Sequence, residues 1–292
     1  MKLRAYAKVN LGLDVVRRRE DGYHDVKMIM QTIQIFDQLD MEVREEPGIY
    51  LTTNLSFIPT NENNLVYKAA KLLMDRFDVK KGIKIHLEKV IPVAAGMAGG
   101  SSDAAATLVG VNQLFDLGLT QEALMELGVK IGADVPYCVM RGTALAEGIG
   151  EILTPLAPMP ACYILIGKPE VSVSTPFVYK NLKLNEHTWH PDIDGMVQAL
   201  NEGNLYGITE RMGNVLETVT IPAFPEIQPI KDHMMEHGAV NAMMSGSGPT
   251  VFGIFDDREK AQWAYDKLKE SGLVKQIFLT APFNVGGGSD DE

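Results

Sequence analysis

Residues 92–106, with the sequence PVAAGMAGGSSDAAA, place three glycines and two serines directly before a run of alanines. This segment constrains the fold most, because glycine lets the backbone approach another group closely and alanine favours a helix. The first N–H groups of a helix have no partner inside it and attract negative charge. The segment therefore predicts a loop that binds an anion at the start of a helix.

The loop alone does not decide what that anion is. A P-loop would require Gly-Lys-Ser/Thr five residues after its first glycine, and Ser101 and Ser102 stand there instead. The dinucleotide fingerprint Gly-x-Gly-x-x-Gly does not fit these glycines, and the His-Arg-Asp of protein kinases is absent from the sequence. A glycine-rich turn that packs a helix tightly on a sheet explains the same residues, so phosphate binding and packing both stay open here.

Composition restricts the class of partner. The chain has 292 residues and a net charge of −11, from 27 basic and 38 acidic side chains, with a pI near 5.1. Nucleic acid and anionic membranes are bound by basic surfaces, so neither partner is expected. The only cysteines are Cys138 and Cys162, the N-terminus has no signal-peptide pattern, and no apolar segment reaches the roughly 20 residues of a membrane span. We expect a cytoplasmic protein with small-molecule partners, either monomeric or weakly dimeric.

Apolar residues occupy every odd position from Leu3 to Val15, which predicts a strand with a bend at Gly12. Lys8 and Asn10 fall together on the other face of this strand, away from the core. A solvated polar face is the simplest interpretation of such a pair when nothing else is considered.

Further strands and helices follow without strict alternation, which predicts an α+β fold. The predicted strands are 26–36, 41–53 with a break at Pro47-Gly48, 83–87, 162–167 and a pair flanking 245–250. The predicted helices are 64–77, one capped by Ser101 or Ser102 that stops at Gly118, one from Thr120 to near Gly132, 195–201, 205–216 and 258–270. Asp134 is predicted to lie between the end of a helix and a strand that Pro136 opens, a junction that can expose a side chain in a cleft.

The proline-rich segment 153–160 predicts a domain boundary. We expect an N-terminal domain over residues 1–155 and a C-terminal domain over residues 156–285. The Gly- and Asp-rich tail, residues 286–292, is expected to be disordered.

Three motifs in the right order resemble those of the GHMP kinases, which phosphorylate hydroxyl groups of small molecules. Pro-x-x-x-Gly-x-x-Gly-Gly-Ser-Ser at 92–102 resembles the central motif of that superfamily, residues 8–13 resemble the first motif, and residues 244–252 resemble the third. The resemblance covers most of the chain. It implies a two-domain fold, with a left-handed βαβ unit in the N-terminal domain and a ferredoxin-like C-terminal domain, and it implies ATP and Mg²⁺ as cofactors.

Finer details are similar to one branch of the superfamily. Residues 19–24, 131–136 and 172–179 resemble the branch that phosphorylates the 2-hydroxyl of a cytidine-diphosphate-linked methylerythritol, on the non-mevalonate route to isoprenoid precursors. A homoserine or mevalonate type of kinase is one alternative, but it does not explain Gly22-Tyr23-His24 together with a distant Tyr179. A nucleotide sensor without catalysis is another alternative, and it would not need Lys8 and Asp134.

The resemblance also implies catalytic and substrate-binding roles. Asp134 would be the general base and Lys8 its cationic partner, although an acidic residue at a helix end also serves as a cap. The rings of Tyr23 and Tyr179 would stack on the cytosine, and His24 would recognise it through hydrogen bonds. The implied substrate-binding residues are Asn10, Tyr23, His24, Thr175, Tyr179, Gly246 and Ser247.

The implied ATP site is the glycine-rich segment, residues 92–102, with two further residues. Its members are Pro92, Val93, Ala94, Ala95, Gly96, Met97, Ala98, Gly99, Gly100, Ser101, Ser102, Asn64 and Lys89. Asn64 as a helix N-cap and Lys89 as a surface lysine are the alternatives for the last two. Ser101 or Ser102 would reach Mg²⁺ or a phosphate oxygen, and no acidic metal ligand is assigned.

Overall fold

A computed structural model of the protein describes residues 1–185 and 187–285, so the predicted tail at 286–292 lies outside the described residues. The strands are β1 (Lys2–Arg18), β2 (His24–Arg44), β3 (Ile49–Thr53), β4 (Gly82–Glu88), β5 (Thr143–Glu147), β6 (Ile152–Pro155), β7 (Tyr163–Lys168), β8 (Gly213–Asn214), β9 (Asn241–Met244), β10 (Val251–Phe255) and β11 (Gln276–Thr280). The helices are α1 (Leu65–Arg76), α2 (Gly99–Leu114), α3 (Gln121–Gly128), α4 (Val135–Met140), α5 (Thr175–Asn181), α6 (Ile193–Asn201), α7 (Leu205–Glu210), α8 (Glu217–Ala223), α9 (Ile227–Glu236) and α10 (Arg258–Ser271).

The first sheet is built around the two long strands β1 and β2. Its order is β3-β4-β2-β1-β8, and β5 and β6 extend it from the edge of β2. β1 pairs antiparallel with β2 along its length, with register shifts between Tyr6 and Lys8 and between Asn10 and Gly12. Both faces of β1 are buried from Ala5 to Leu13. The predicted strand is therefore confirmed, but the expectation that Lys8 and Asn10 face away from the core is wrong.

The second sheet has the order β11-β7-β10-β9, and all neighbouring strands are antiparallel. Along the chain, helices α5–α9 lie between β7 and β9, and α10 lies between β10 and β11. This is the split βαβ arrangement of ferredoxin-like domains, here with additional helices. The α+β class and the ferredoxin-like C-terminal half are confirmed, while the left-handedness of the N-terminal βαβ unit stays a prediction.

The two sheets share part of the hydrophobic core. One buried cluster contains Val9 and Leu11 from β1 together with Ile164, Ile166 and Phe252 from β7 and β10. All strands of the first sheet except β8 precede residue 156, and the domain boundary near residue 155 remains a proposal. No helix within the described ranges is both long enough and apolar enough to span a membrane.

Residues 281–283 return to the first sheet after β11. The Phe283 N–H donates to the Thr32 carbonyl at 2.8 Å, and the Gln34 N–H donates to the Ala281 carbonyl at 3.0 Å. β5 pairs with residues 28–31 of β2 and β4 pairs with residues 38–44. The returning segment therefore fills the gap between β5 and β4 on one edge of β2.

Several predicted elements are confirmed because their signals are local. Asn64 caps α1, where its side chain accepts a hydrogen bond from the Val66 N–H, and Thr120 caps α3 in the same way. The break at Pro47-Gly48 separates β2 from β3. Strands β9 and β10 flank the loop 245–250, and α10 has the predicted bounds to within one residue.

Three predicted element boundaries are wrong. Helix α2 begins at Gly99, with Ala98 as its N-cap, rather than at a Ser101 or Ser102 cap. Pro136 opens helix α4 and not a strand, because proline suits the first turn of a helix. The helix predicted over 205–216 ends at Glu210, where the chain turns into β8.

Candidate active site

A cavity of about 1230 Å³ is lined by residues of both halves of the chain. The N-terminal half contributes β1, the glycine-rich segment and the start of α4, and the C-terminal half contributes α5 and the loop 245–250.

 

Two of the expected site residues, Met97 and Ser102, lie outside this lining, and all the others belong to it. The cavity therefore brings together the residues that the three motifs contribute from distant parts of the chain.

The glycine-rich segment takes an unusual backbone path before α2. Ala94, Gly96 and Ala98 all have positive φ, at 52°, 73° and 56°. A Cβ on Gly96 would lie 2.2 Å from the Ser245 carbonyl oxygen, and the Ser245 hydroxyl donates to the Gly96 carbonyl at 3.0 Å. Gly96 thus permits close packing against the loop 245–250. Of the two interpretations of the glycines, packing therefore applies to Gly96.

The other two glycines lie in the first turn of α2. A Cβ on Gly99 would lie 3.2 Å from the Lys89 amine, whereas a Cβ on Gly100 would meet only the Leu65 side chain, at 3.5 Å. The first hydrogen bond of the helix runs from the Ser102 N–H to the Ala98 carbonyl. The N–H groups of the residues before Ser102 therefore have no partner within the helix, and Gly99, Gly100 and Ser101 all line the cavity.

The structure distinguishes the two serines. The Ser102 hydroxyl is buried and donates to the Tyr6 carbonyl of β1 at 2.6 Å. Ser101 lines the cavity and Ser102 does not. Of the two candidates for contact with a phosphate or a metal ion, Ser101 is the one in position, while Ser102 fixes α2 on the sheet.

Lys8, Asn10 and Asp134 converge on one wall of the cavity. The Lys8 amine donates to the Asn10 side-chain oxygen at 2.7 Å and lies 4.0 Å from an Asp134 carboxylate oxygen. Asp134 occupies the N-cap position of α4, yet its side chain makes no capping hydrogen bond. The position matches the helix-cap alternative, but the carboxylate is not used for capping. The Asp134 side chain is 33% exposed, so its carboxylate can contact a ligand in the cavity.

Lys89 is part of a buried cluster that sequence reasoning missed. Its amine donates to the carboxylates of Asp37 and Asp103, the latter at 2.7 Å. Asp37 also accepts hydrogen bonds from the N–H groups of Val90 and Ile91, directly before the glycine-rich segment. The surface-lysine alternative is wrong, because Lys89 is only 9% exposed. Asp37 is 52 residues from Lys89 along the chain, so no local pattern indicated the contact.

Burial dominates the electrostatics of this cluster. It raises the pKa of the Asp103 carboxyl to about 8, against the opposing charge of Lys89 and with a further increase from Asp37. Burial alone would lower the pKa of Lys89, but the two carboxylates outweigh it and raise that pKa. The cluster therefore holds a firmly protonated lysine between two aspartates, and the buried carboxyl of Asp103 holds its proton more tightly than a free aspartate does.

Residues 57–65 form another part of the cavity wall. The Asn64 side chain donates to the Pro59 carbonyl at 2.8 Å and accepts from the Val66 N–H, so the N-cap interpretation is confirmed. Phe57 lines the cavity with 71% of its surface exposed. Sequence reasoning missed Phe57, although an aromatic residue within a polar loop was a usable signal.

The aromatic residues lie on the wall that α5 and the start of β2 form. The rings of His24 and Tyr179 are 5.2 Å apart and tilted by 42°, while Tyr23 is 61% exposed. The Thr175 and Ser247 hydroxyls share a hydrogen bond of 2.7 Å, which ties α5 to the loop 245–250. Burial, with a smaller effect of Arg18, lowers the pKa of His24 below its usual 6.5, so the imidazole is neutral at pH 7.

These features define a kinase of small molecules: a helix start that is open to phosphate, and a carboxylate beside a lysine in the same cavity. Models of the GHMP kinase N-terminal and C-terminal domains match residues 64–142 and 196–273. The chain belongs to the GHMP kinases.

Comparison with individual proteins identifies the branch. A protein of Lachnoclostridium phytofermentans named 4-diphosphocytidyl-2-C-methyl-D-erythritol kinase is 58% identical over 283 residues, which cover 97% of each chain. A protein of the same name from Lachnospira eligens is 55% identical and covers 97% of this chain and 98% of its own. Within the GHMP kinases, the chain belongs to the 4-diphosphocytidyl-2-C-methyl-D-erythritol kinase family.

Solved structures agree with this assignment. A crystal structure of 4-(cytidine 5'-diphospho)-2C-methyl-D-erythritol kinase superposes with a TM-score of 0.83 at 33% identity, covering 99% of this chain and all of that one. Homoserine kinase from Cytophaga hutchinsonii reaches a TM-score of 0.81 at 20% identity, over 97% of this chain and 94% of that one. The second likeness supports the fold alone.

Proposed function

We propose that this cavity transfers the γ-phosphoryl group of ATP to the 2-hydroxyl of 4-diphosphocytidyl-2-C-methyl-D-erythritol. The names of its relatives support this substrate, and the family resemblance implies ATP as the donor and the non-mevalonate route to isoprenoid precursors. One observation carries the proposal for the site: the Lys8 amine lies 4.0 Å from the Asp134 carboxylate, in the cavity that also contains the start of α2.

Asp134 is proposed as the general base. A hydroxyl is a weak nucleophile at neutral pH, and a positioned base contributes roughly 10²–10⁴-fold to the rate. Its carboxylate makes no capping bond, so it is available to accept the proton of the substrate hydroxyl. Lys8 would stabilise both the carboxylate and the charge that develops on the phosphoryl group, and its bond to Asn10 holds it in place.

ATP would bind along the glycine-rich segment, residues 92–102, with its phosphates at the N–H groups of the first turn of α2. The base would lie against residues 57–65, where Phe57 offers an exposed ring for stacking. Asn64 and Lys89 would support this region mainly through the hydrogen bonds that they already make, to Pro59, Val66, Asp37 and Asp103.

Mg²⁺ prefers hard oxygen ligands and is bound in kinases by one or two carboxylates together with substrate phosphates. Within the described residues no group of three or more His, Cys, Asp or Glu side chains forms a metal site. Ser101 places a hydroxyl on the cavity wall at the start of α2, which fits a Mg²⁺ ion bound mainly by the ATP phosphates. The ion would neutralise charge on the ATP phosphates.

The cytidine would bind at the wall formed by Tyr23, His24 and Tyr179. Stacking on an aromatic ring accepts any base, so His24 would provide the selectivity through hydrogen bonds to cytosine. Thr175, Gly246 and Ser247 close the same part of the cavity, and Asn10 would orient the hydroxyl that reacts.

The remaining expectations concern the whole protein. We propose that it works in the cytoplasm on these two small molecules, as a monomer or weak dimer, with domains over 1–155 and 156–285. Both cysteines are free and buried, which is compatible with a reducing compartment.

The deciding assay measures ADP release with three acceptors under the same conditions: the cytidylyl substrate, homoserine and mevalonate. We expect turnover with the first alone. Turnover with homoserine or mevalonate at a similar rate would refute the proposed specificity, and ATP binding without ADP release from any of the three would favour a nucleotide sensor.

A further inference from the structure

Four basic side chains line the cavity, and two of them are already paired. They are Lys8, Arg18, Lys89 and Lys180. Lys8 contacts Asn10 and Asp134, and Lys89 lies between Asp37 and Asp103. Arg18 and Lys180 make no side-chain hydrogen bond or ion pair with any residue in 1–185 or 187–285. In a chain with a net charge of −11, two unpaired cations in one cavity are a distinctive feature.

Arg18 neighbours His24 and Lys180 neighbours Tyr179, and the rings of His24 and Tyr179 are in contact. Arg18 is the last residue of β1 and pairs with His24 in the antiparallel ladder, close enough for its charge to act on that imidazole. Lys180 directly follows Tyr179 in the last turn of α5. The two cations therefore come from the two halves of the chain and meet the cavity at the proposed cytidine wall.

The proposed substrate carries a diphosphate between its cytidine and its methylerythritol. The phosphates of ATP are assigned to the start of α2, so the diphosphate of the substrate requires other positive groups. From this arrangement we infer that Arg18 and Lys180 together bind the diphosphate of the cytidylyl substrate and so distinguish it from a free nucleoside. The inference rests on the proposed function, because it takes the cytidine to lie at Tyr23, His24 and Tyr179.

The two residues suit this task differently. The Arg18 guanidinium can donate two parallel hydrogen bonds to phosphate oxygens, whereas the Lys180 ammonium acts as a point charge on a flexible stem. Both side chains are exposed, so water and salt screen their charges when no ligand is bound. Each is therefore expected to contribute roughly fivefold to affinity rather than the larger factors of buried pairs.

The test measures the affinity of cytidine, CMP and CDP by calorimetry, with a non-hydrolysable ATP analogue saturating the other nucleotide site. The variants are Arg18→Gln, Lys180→Met and the double variant. Matched controls are Arg17→Gln, which removes a cation paired with Asp25, and Lys183→Met, which removes a lysine outside the cavity lining.

We expect wild type and both controls to bind CDP much more tightly than cytidine. The double variant should lose roughly 25-fold in CDP affinity, from two factors of about five, and should keep its cytidine affinity within about twofold. The salt dependence of CDP binding should fall in parallel, and the KM for ATP should not change.

CDP affinity of the double variant equal to that of wild type, with cytidine still bound, would overturn the inference and leave the proposed function intact. A loss of CDP affinity in the controls as large as in the double variant would also overturn it, because the loss would then reflect the overall decrease in positive charge and not a specific contact. Failure of wild type to bind any cytidine compound would refute the proposed function itself.

Discussion

Asp134 carries the sharpest prediction for a single residue. Asp134→Asn keeps the shape of the side chain but cannot accept the proton of the substrate hydroxyl. We expect kcat to fall by at least ~10²-fold, with the KM values for ATP and the cytidylyl substrate changed little. Steady-state kinetics and the melting temperature check this together. Turnover within about threefold of wild type, in a variant that melts normally, would exclude Asp134 as the base.

His24 predicts a pH dependence of substrate binding. Burial and Arg18 lower the pKa of its imidazole below 6.5, so the neutral form is present at pH 7 and is lost as the pH falls. The KM for the cytidylyl substrate should rise at acidic pH, while the KM for ATP should be nearly constant. NMR titration of the imidazole gives the pKa directly, and Arg18→Gln should raise it. An unchanged imidazole pKa in Arg18→Gln would contradict the assigned effect of Arg18.

Asp103 predicts a pH dependence of stability. Its pKa is raised from 3.8 to about 8, so between these values the unfolded chain releases a proton that the folded chain retains. The contribution of this group to stability therefore falls as the pH rises. Asp103→Asn never carries the charge. As the pH rises from ~5 to ~8, its melting temperature should therefore increase relative to that of wild type by about 2–4 °C or more, which corresponds to a free energy of unfolding of about 1 kcal/mol or more. A difference that is constant with pH would show that Asp103 is ionised in the folded protein.

At the scale of structural elements, substitutions in the glycine-rich segment distinguish a glycine needed for packing from a glycine needed for ligand approach. Gly96→Ala would place a Cβ 2.2 Å from the Ser245 carbonyl oxygen at a positive φ, whereas Gly100→Ala adds only an ordinary contact with Leu65. We expect Gly96→Ala to destabilise the fold by about 1–3 kcal/mol. Gly100→Ala should keep the melting temperature and raise the KM for ATP. Thermal melts and ATP kinetics of both variants check this, and equal stability would contradict the packing role of Gly96.

Local signals account for the elements that could be predicted. Asn64 and Thr120 cap their helices through bonds to residues two or three positions away, so the sequence alone indicates both starts. The start of α2 was missed because the prediction required a side-chain cap. Ala98 takes that position with a positive φ, and no capping bond marks it.

For the whole molecule, the returning segment predicts coupled unfolding of the two halves. A chain that ends at Thr280 would lose the hydrogen bonds of residues 281–283 to β2 and the stacking of Phe283 on Tyr6, whose ring centroids are 4.4 Å apart. We expect a loss of about 2–4 kcal/mol relative to a chain that ends at Val285. Calorimetry should show one transition in both, and a separate transition for each half would contradict the shared core.

The motifs predicted which residues meet, but not how they are held. Lys8, Asp134 and the loop 245–250 were expected at one site because a family resemblance joined them across the chain. The cluster of Asp37, Lys89 and Asp103 depends on contacts between residues far apart in sequence, and periodicity carries no information on those. The burial of Lys8 and Asn10 was missed for a related reason, since the groups near their side chains, Asp134 and the loop 245–250, are far away in the sequence.

The returning segment also has a consequence for synthesis on the ribosome. β1 and β2 emerge before the other elements described here, yet one edge of β2 is completed only by residues 281–283, and the cavity is closed by residues 245–250. A nascent chain that has exposed Lys8, Asp134 and the whole glycine-rich segment therefore still lacks the cavity wall that residues 245–250 form, and β2 still has an open edge. Competence to bind nucleotide should arise only after residues 245–250 have emerged, and the first sheet should depend on chaperones to shield its open edge until residues 281–283 follow.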